Sequence, residues 1–165
     1  MARKGMGKET RLCFSRHVLT ENRHGLAVDV ELTRATGASE REAARVMLRR
    51  MRQRVRQHRC TLGADKGYDI RDFIAACQAL QVTPHRARRD SWWGGAVLAK
   101  LAPTSGYQMS QRKRKRVEEI FAWTKTVGGG RKLRYLGLEY NRLWTEVTAA
   151  AYHLVRTSNL AAVPT

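Results

Sequence analysis

The sequence predicts a mixed α/β domain, because segments with the two-residue period of a strand alternate with segments that have the longer period of a helix. Large apolar residues occupy every second position from Leu26 to Leu32, alternating with Ala27, Asp29 and Glu31, after a turn at 21–25. This pattern predicts the second strand of an antiparallel hairpin. A helix is predicted from Ser39, since Ser39 and Glu42 have the spacing of a capping box. The full order is strand, strand, helix, strand, helix, a brief strand and two helices.

The middle of the chain predicts a short buried strand followed by a helix. The strand covers 60–64, and Asp65 lies at its C-terminal end. The helix is expected to begin with Asp69 as its N-cap and to bury Phe73 and Cys77. A further brief strand around Val82 is expected to stop at Pro84. Residues 84–109 have no clean period and are predicted to form an irregular connector.

Two helices are predicted to close the chain. The first is capped by Ser110 and runs to about Thr126, where three consecutive glycines end it. The second runs from about Glu139 to Arg156. Its buried face is predicted to consist of Leu143, Val147, Ala150, Ala151 and Leu154.

The charge balance is strongly basic. The 165 residues include 32 Lys and Arg against 14 Asp and Glu, a formal net charge of +18. Such an excess is hard to keep in a compact protein unless a polyanion is the usual partner, so nucleic acid is the first partner to consider and an anionic membrane surface the second. Because 42% of the residues are hydrophobic, one domain with a single core is predicted over 1–165 rather than a disordered basic tail.

Cysteine spacing and the apolar runs exclude several classes of protein. Cys13, Cys60 and Cys77 are far apart and lack zinc-site spacing, so reduced cysteines and no structural zinc are expected. No stretch of 18 apolar residues and no signal-peptide hydrophobic region occur. A cytoplasmic location without a membrane partner is therefore expected.

Two acids are candidates for chemistry. Asp65, at the end of a buried strand, is well placed to reach a metal at the sheet edge, but for this residue alone an Asx-type turn is the favoured interpretation. Glu118 shares a helical stripe with Arg114 and Lys125, beside the apolar stripe and at the core margin. A carboxylate flanked by these cations suits a metal that faces a phosphate. On spacing alone, an ordinary Arg–Glu pair is an equally good interpretation.

Other acids compete less well with these two. Glu119 points about 100° away from the stripe of Glu118. Asp29 and Glu31 share one strand face within reach of a metal, but exposed strand carboxylates are the commoner case.

The segment 111–116 carries five cations in six residues. A charge run is usually a solvated face. Here it continues a chain-wide excess and precedes Glu118, which favours contact with phosphates. Trp92–Trp93 could stack on an unpaired base, although anchoring of a loop is the favoured interpretation.

Four segments resemble the DDE transposases of bacterial insertion sequences: 19–26, 35–44, 63–69 and 116–126. The last two are the specific ones. The resemblance implies an RNase H-like mixed sheet flanked by helices, in which two Asp and one Glu bind two divalent cations. It implies that Asp65 is the second acid and Glu118 the third, because the family's Arg–Glu–Lys spacing falls on Arg114, Glu118 and Lys125.

The resemblance is incomplete at two points. The family has a Tyr three residues before the Arg, where this sequence has Gln111, and Tyr107 is out of register. The family's first Asp lies on the first strand of the sheet, and the chain is expected to be a C-terminal part of the catalytic domain without that strand. Asp29 is a poor replacement for that acid.

The implied reaction is hydrolysis of a phosphodiester at the element end, followed by attack of the freed 3′-OH on target DNA. Two ions of Mg²⁺ or Mn²⁺ are the implied cofactors. The implied partner is double-stranded DNA, both element ends and target, with a homodimer left open and a bacterial, nucleoid-associated location. The implied DNA-binding residues are Arg112, Arg114, Lys115 and Lys125.

The isolated chain is expected to be an inactive, truncated form of such an enzyme. The alternative is a non-enzymatic DNA-binding remnant that interferes with transposition by occupying element ends. A basic RNA-binding protein is a weaker third hypothesis, because neither the stacked aromatics nor the GXXG clamp of common RNA-binding modules is found.

Overall fold

The computed structural model describes residues 13–55, 59–86 and 104–162, together with two short antiparallel strands, Ala2–Arg3 (β1) and Thr10–Arg11 (β2). Across these ranges the strands pair two by two. The chain forms two compact units, which we call the terminal unit (Met1–Met47 with Val117–Thr165) and the central unit (Leu48–Arg116). Helices together with antiparallel and parallel strand pairs confirm the mixed α/β prediction.

The terminal unit contains the predicted antiparallel hairpin, formed by β3 (Phe14–Thr20) and β4 (Ala27–Arg34). Glu21 closes the turn, because its carboxylate accepts hydrogen bonds from the backbone N–H groups of Arg23 (2.9 Å) and His24. Burial by itself raises the pKa of Glu21, but these backbone hydrogen bonds outweigh it and lower the pKa below its usual value. The turn is thus fixed by a charged carboxylate.

Helix α1 (Ser39–Arg54) begins where the sequence predicts. The Ser39 hydroxyl, however, serves the preceding turn rather than a capping box: it donates to the Thr36 carbonyl oxygen (2.8 Å) and accepts from the Thr36 N–H (3.3 Å). Met47 and Leu48 are buried, as the predicted apolar stripe requires.

The central unit is a parallel strand–helix–strand crossover of β5 (Cys60–Ala64), α2 (Arg71–Ala79) and β6 (Val82–Arg86). Phe73 and Cys77 on α2 are fully buried, as predicted. A crossover helix is the usual way to connect a parallel pair of strands.

The N-cap of α2 is Ile70 rather than the predicted Asp69. Asp69 instead ends a 3₁₀ turn over Lys66–Tyr68, where its backbone N–H bonds to the Lys66 carbonyl oxygen. The short turn therefore uses the residue that the sequence assigns to the helix.

The irregular connector predicted over 84–109 is shorter at both ends. β6 continues through Pro84 to Arg86, and proline is tolerated because β6 pairs with only one strand in the described ranges and so forms an edge. Helix α3 (Ser105–Lys113) begins before 109, because the Thr104 side chain accepts a backbone hydrogen bond (3.3 Å) in its first turn.

The single helix predicted from Ser110 to about Thr126 is interrupted. α3 passes into a 3₁₀ turn, Arg114–Arg116, and then into α4 (Val117–Thr126). Ser110 is buried inside α3 and is not a cap. A 3₁₀ turn has about 3.0 residues per turn instead of 3.6, so side chains on its two sides do not form one continuous α-helical stripe.

Helix α5 (Leu138–Ala161) buries a different face from the predicted one. The predicted face is exposed: Leu143, Val147, Ala150, Ala151 and Leu154. The buried residues are Asn141, Thr145, Thr148, Ala149 and Tyr152. This polar face tolerates burial because its polar atoms are hydrogen-bonded, as in the bond from the Tyr152 hydroxyl to the Gly25 carbonyl oxygen (3.1 Å).

The core of the terminal unit lies between the hairpin, α4 and α5. Its buried centre is Ile120, Ala149 and Tyr152, against which Val18 and Trp123 pack. The rings of Trp123 and Tyr152 meet edge to face with centroids 5.7 Å apart. None of the helices in the described ranges is long and apolar enough to cross a membrane.

Candidate functional site

Asp65 lies directly after β5, at the carboxyl end of the parallel pair of the central unit, which is where binding residues gather in parallel sheets. Its Oδ1 accepts a hydrogen bond from the Gly67 N–H at 2.7 Å, which is the Asx-type turn that the sequence allows. Because the residue is exposed, its carboxylate fixes the turn and also faces solvent. The turn and a ligand role are therefore compatible.

The two neighbouring glutamates of α4 have different surroundings. Glu119 pairs with Arg156 of α5 at 3.3 Å, and the Arg156 Nε donates to the His24 carbonyl oxygen at 2.7 Å. Glu118 is exposed and has no ion pair or hydrogen bond with any residue that the structure describes. Its exposure corrects the prediction that it lies at the core margin. The buried residues of α4 are Ile120 and Thr124.

Gln111, which stands where the family has Tyr, holds Arg114 in place within the central unit. Its amide nitrogen donates to the His85 carbonyl oxygen, and its Oε1 accepts from the Arg114 Nε at 2.9 Å. The close approach requires Gly63 on β5, because a Cβ there would lie 3.0 Å from the Arg114 Cβ. Arg114 is thus fixed against β5 and β6, in the same unit as Asp65.

The remaining predicted residues lie as follows. Arg112 and Lys115 are exposed, while Lys125 is exposed on the last turn of α4. Glu31 pairs with Arg142 at 3.5 Å, so this competitor is occupied by an ion pair. The Trp92–Trp93 pair lies outside the described residues.

Lys125 lines a pocket of the terminal unit that the sequence did not indicate. The pocket encloses about 380 Å³ and also contains Arg16, Arg131 and Lys132. Arg131 and Lys132 follow directly after the glycine run that ends α4, and this adjacency is the one signal in the sequence that indicates an exposed basic loop.

A family model described as a transposase DDE domain matches residues 2–154. The match spans most of the chain and includes both candidate acids. The chain belongs to the DDE transposase family. This membership confirms the predicted family and gives the protein a role in DNA transposition, with DNA as the implied substrate. Searches among curated proteins and among solved structures find no match.

DDE transposases typically act with divalent metal ions, and the donors of this DDE transposase fit such ions chemically. Exposed carboxylates such as Asp65 and Glu118 are the hard oxygen ligands that Mg²⁺ and Mn²⁺ prefer. Asp65 belongs to the central unit and Glu118 to the terminal unit. Within the part of the chain that the structure describes, no group of three or more His, Cys, Asp or Glu could hold a metal ion.

Proposed function

We propose that this DDE transposase chain takes part in metal-dependent cleavage and strand transfer at the ends of an insertion element, with Asp65 and Glu118 as metal ligands. The contrast between Glu118 and Glu119 carries the proposal. Glu119 is committed to an ion pair at 3.3 Å, whereas Glu118 is exposed and unpaired among the described residues. The unpaired glutamate is also the one that falls on the family's Arg–Glu–Lys pattern.

Two ions of Mg²⁺ or Mn²⁺ would supply Lewis-acid activation of the attacking oxygen and charge stabilisation of the leaving oxygen. The chain's own residues do the rest. The carboxylates of Asp65 and Glu118 provide the negative charge that holds cations. Arg114 and Lys125 provide donors for phosphate oxygens and so orient the DNA. Arg114 is suited to this because Gln111 already fixes its guanidinium.

Each of the two proposed steps breaks one phosphorus–oxygen bond and forms another. In the first step, water adds to the phosphorus at the element end, and the bond to the 3′ oxygen breaks to give a free 3′-OH. In the second step, that hydroxyl attacks a target phosphodiester, so one phosphodiester bond forms as another breaks. Arg112 and Lys115, both exposed, would hold the DNA by its backbone during these steps.

Binding of Mn²⁺, followed by electron paramagnetic resonance, tests the ligand assignment without needing activity. We expect Asp65→Asn and Glu118→Gln each to weaken Mn²⁺ binding by about tenfold or more. Even residues that only support metal ligands reduce metal affinity by about tenfold or more when they are replaced. Glu119→Gln is the matched control and should bind Mn²⁺ like the parent chain. A loss with Glu119→Gln and none with Glu118→Gln would show that the wrong glutamate has been assigned.

A polypeptide limited to these 165 residues is not expected to cut or join DNA. We assign only the second and third acids of the family, Asp65 and Glu118, within these residues, and two cations held close together need a bridging carboxylate as well. The polypeptide can be incubated with Mn²⁺ and a pre-nicked element-end duplex. Strand-transfer product would contradict the expectation and would assign the missing ligand to Asp29 or Glu31.

The second candidate function is occupation of element ends without cutting, which would interfere with transposition. The net charge of +18 favours it, because phosphate binding needs no acid. Fluorescence anisotropy with duplex DNA at two salt concentrations is the first test, and affinity should fall steeply with salt. A flat response would rule out this candidate, whereas tight binding together with strand transfer would favour the enzyme.

A further inference from the structure

The pocket beside Lys125 has an unusual balance of charge. It lies among the start of β3, the end of α4, the loop after α4 and the first turns of α5, all within the terminal unit. Four cations line it: Arg16, Lys125, Arg131 and Lys132. No Asp or Glu is found among its described lining residues. Four positive charges around one cavity repel each other, so the arrangement is most stable when an anion occupies it.

Arg16 is the cation whose surroundings point most directly to a ligand. Its guanidinium lies over the ring of Trp144, 5.1 Å from the centroid. Its Nε is shielded from solvent and has no hydrogen-bond partner in the described part of the chain. Burial also lowers the pKa of Arg16, which marks a charge that has lost much of its water. A desolvated cation without a carboxylate is costly unless an anion supplies the missing hydrogen bonds.

The loop that carries Arg131 and Lys132 is fixed at both ends. At its start, the Gly130 N–H donates to the Thr124 carbonyl oxygen at 2.8 Å. At its end, the fully buried Asn141 donates from Nδ2 to the carbonyl oxygens of Tyr135 and Gly137, both at 2.6 Å. The backbone that carries these cations is thus held beside the pocket by hydrogen bonds at both ends.

The first residue of the loop is a glycine that has little room for a side chain. A Cβ on Gly130 would lie 2.6 Å from the Thr124 Cγ2 and 3.1 Å from the Arg16 Nη1. The glycine therefore leaves the space in which the Arg16 guanidinium and the loop come together.

We propose that this pocket binds a phosphodiester group of the DNA backbone through Arg16, Arg131 and Lys132, beside Lys125. Guanidinium and ammonium donors that converge without an acid are the chemistry that recognises a phosphate. The cavity has a volume of about 380 Å³ and is partly open to solvent. The choice of DNA as the source of the phosphate rests on the proposed function.

The test compares salt dependence in two double variants with the same change in charge. Arg131→Gln/Lys132→Gln removes two pocket cations that are exposed and form no ion pair with described residues. Arg49→Gln/Arg71→Gln removes two exposed cations of the central unit and is the control. Anisotropy of a labelled duplex is measured over a range of salt. Each neutralised phosphate contributes about 0.9 to the steepness of log K against log salt. Because the pocket is proposed to hold one phosphodiester group, we expect the pocket variant to reduce the steepness by about 0.9.

The outcomes separate this proposal from the proposed function. A smaller reduction in the control than in the pocket variant supports the pocket. Equal slopes for the two variants, with steep binding by the parent chain, would overturn the pocket and leave DNA binding in place. If binding of the duplex by the parent chain does not depend on salt, both the pocket proposal and DNA binding by the chain would be overturned. Inorganic phosphate added at constant ionic strength should not abolish the difference in slope between the two variants. If the difference disappears when phosphate is added, the free anion is the ligand.

Discussion

The acidic motif residues and the basic pocket differ in how the fold holds them. Asp65 uses one carboxylate oxygen for its turn and faces solvent, and Glu118 has no partner among the described residues. In the pocket, by contrast, Arg16 lies over Trp144, and Asn141 ties down the end of the basic loop. The acids thus have few contacts, whereas Arg16 and the backbone of the basic loop have several.

This difference follows from the ligands that each set is proposed to take. A divalent ion itself orders the carboxylates that bind it, because metal binding contributes free energy to the ordered state. A single backbone phosphate contributes less, so its site gains affinity when the cations are already in place. The comparison therefore predicts that substitutions at the acids change chemistry with little effect on stability, whereas a substitution that disturbs the backbone beside the pocket, as at Gly130, also lowers stability.

Among the substitutions that test this comparison, Glu118→Gln has the largest expected effect on activity. In a form of the protein that also supplies the family's first aspartate, it should reduce excision of DNA that carries the element's own ends by more than about a hundredfold. Residues that only support metal ligands cost up to about that factor when they are replaced. The melting temperature should stay unchanged, because Glu118 is exposed and unpaired among described residues. Unchanged excision would remove Glu118 from the site, and a lower melting temperature would show that it has a structural role.

Gly130→Ala tests whether the backbone beside the pocket is rigid and the pocket is therefore preformed. The new Cβ would lie 2.6 Å from the Thr124 Cγ2 and 3.0 Å from the Thr124 carbonyl oxygen, and Thr124 is buried. We expect the free energy of unfolding to fall by about 1–3 kcal/mol, as for overpacked sites. Chemical denaturation measures this change.

Gly37→Ala is the matched control for Gly130→Ala, since a Cβ at Gly37 would meet nothing within 4 Å. Its free energy of unfolding should change by less than about 0.5 kcal/mol. Equal effects of the two substitutions would mean that the loop yields easily and that the pocket is not preformed.

Arg16→Met separates affinity from stability within the pocket. The methionine keeps an apolar side chain against Trp144 but removes the desolvated charge, so the lost cation–π contact of about 0.5–1 kcal/mol is offset by the relief of burial. We expect the free energy of unfolding to change by less than about 1 kcal/mol. The salt slope of DNA binding should fall by about 0.9. A large loss of stability with an unchanged slope would assign Arg16 to the core instead.

The elements that the sequence predicts well are those with a strong local signal. The hairpin follows from the strict alternation at 26–32, and β5 follows from a short apolar run before Asp65. Both depend on neighbours in the chain. The same is true of the end of α4, where Gly129 adopts a left-handed φ of 67°.

The buried face of α5 could not be read from hydrophobicity. Thr145 is buried because its hydroxyl donates to the Asn141 carbonyl oxygen at 2.8 Å, which removes the cost of burying it. Leu143, which the hydrophobic pattern assigns to the buried face, is 58% exposed. The pocket was missed for a related reason, because it joins residues as far apart in sequence as Arg16 and Lys132.

The smallest expected effect comes from Glu119→Gln, and it sharpens the contrast between the two glutamates. Glu119 pairs with Arg156 at 3.3 Å, but its side chain is 45% exposed, so the ion pair contributes no more than about 1 kcal/mol. Arg156 keeps its hydrogen bond to the His24 carbonyl oxygen in the variant, and the hairpin turn stays in contact with α5. We expect a slightly lower melting temperature and a smaller difference in melting temperature at high salt. In a form of the protein that also supplies the family's first aspartate, excision should be unchanged. A marked loss of excision with normal stability would reverse the assignment, because it would mean that Glu119 leaves Arg156 to bind the metal.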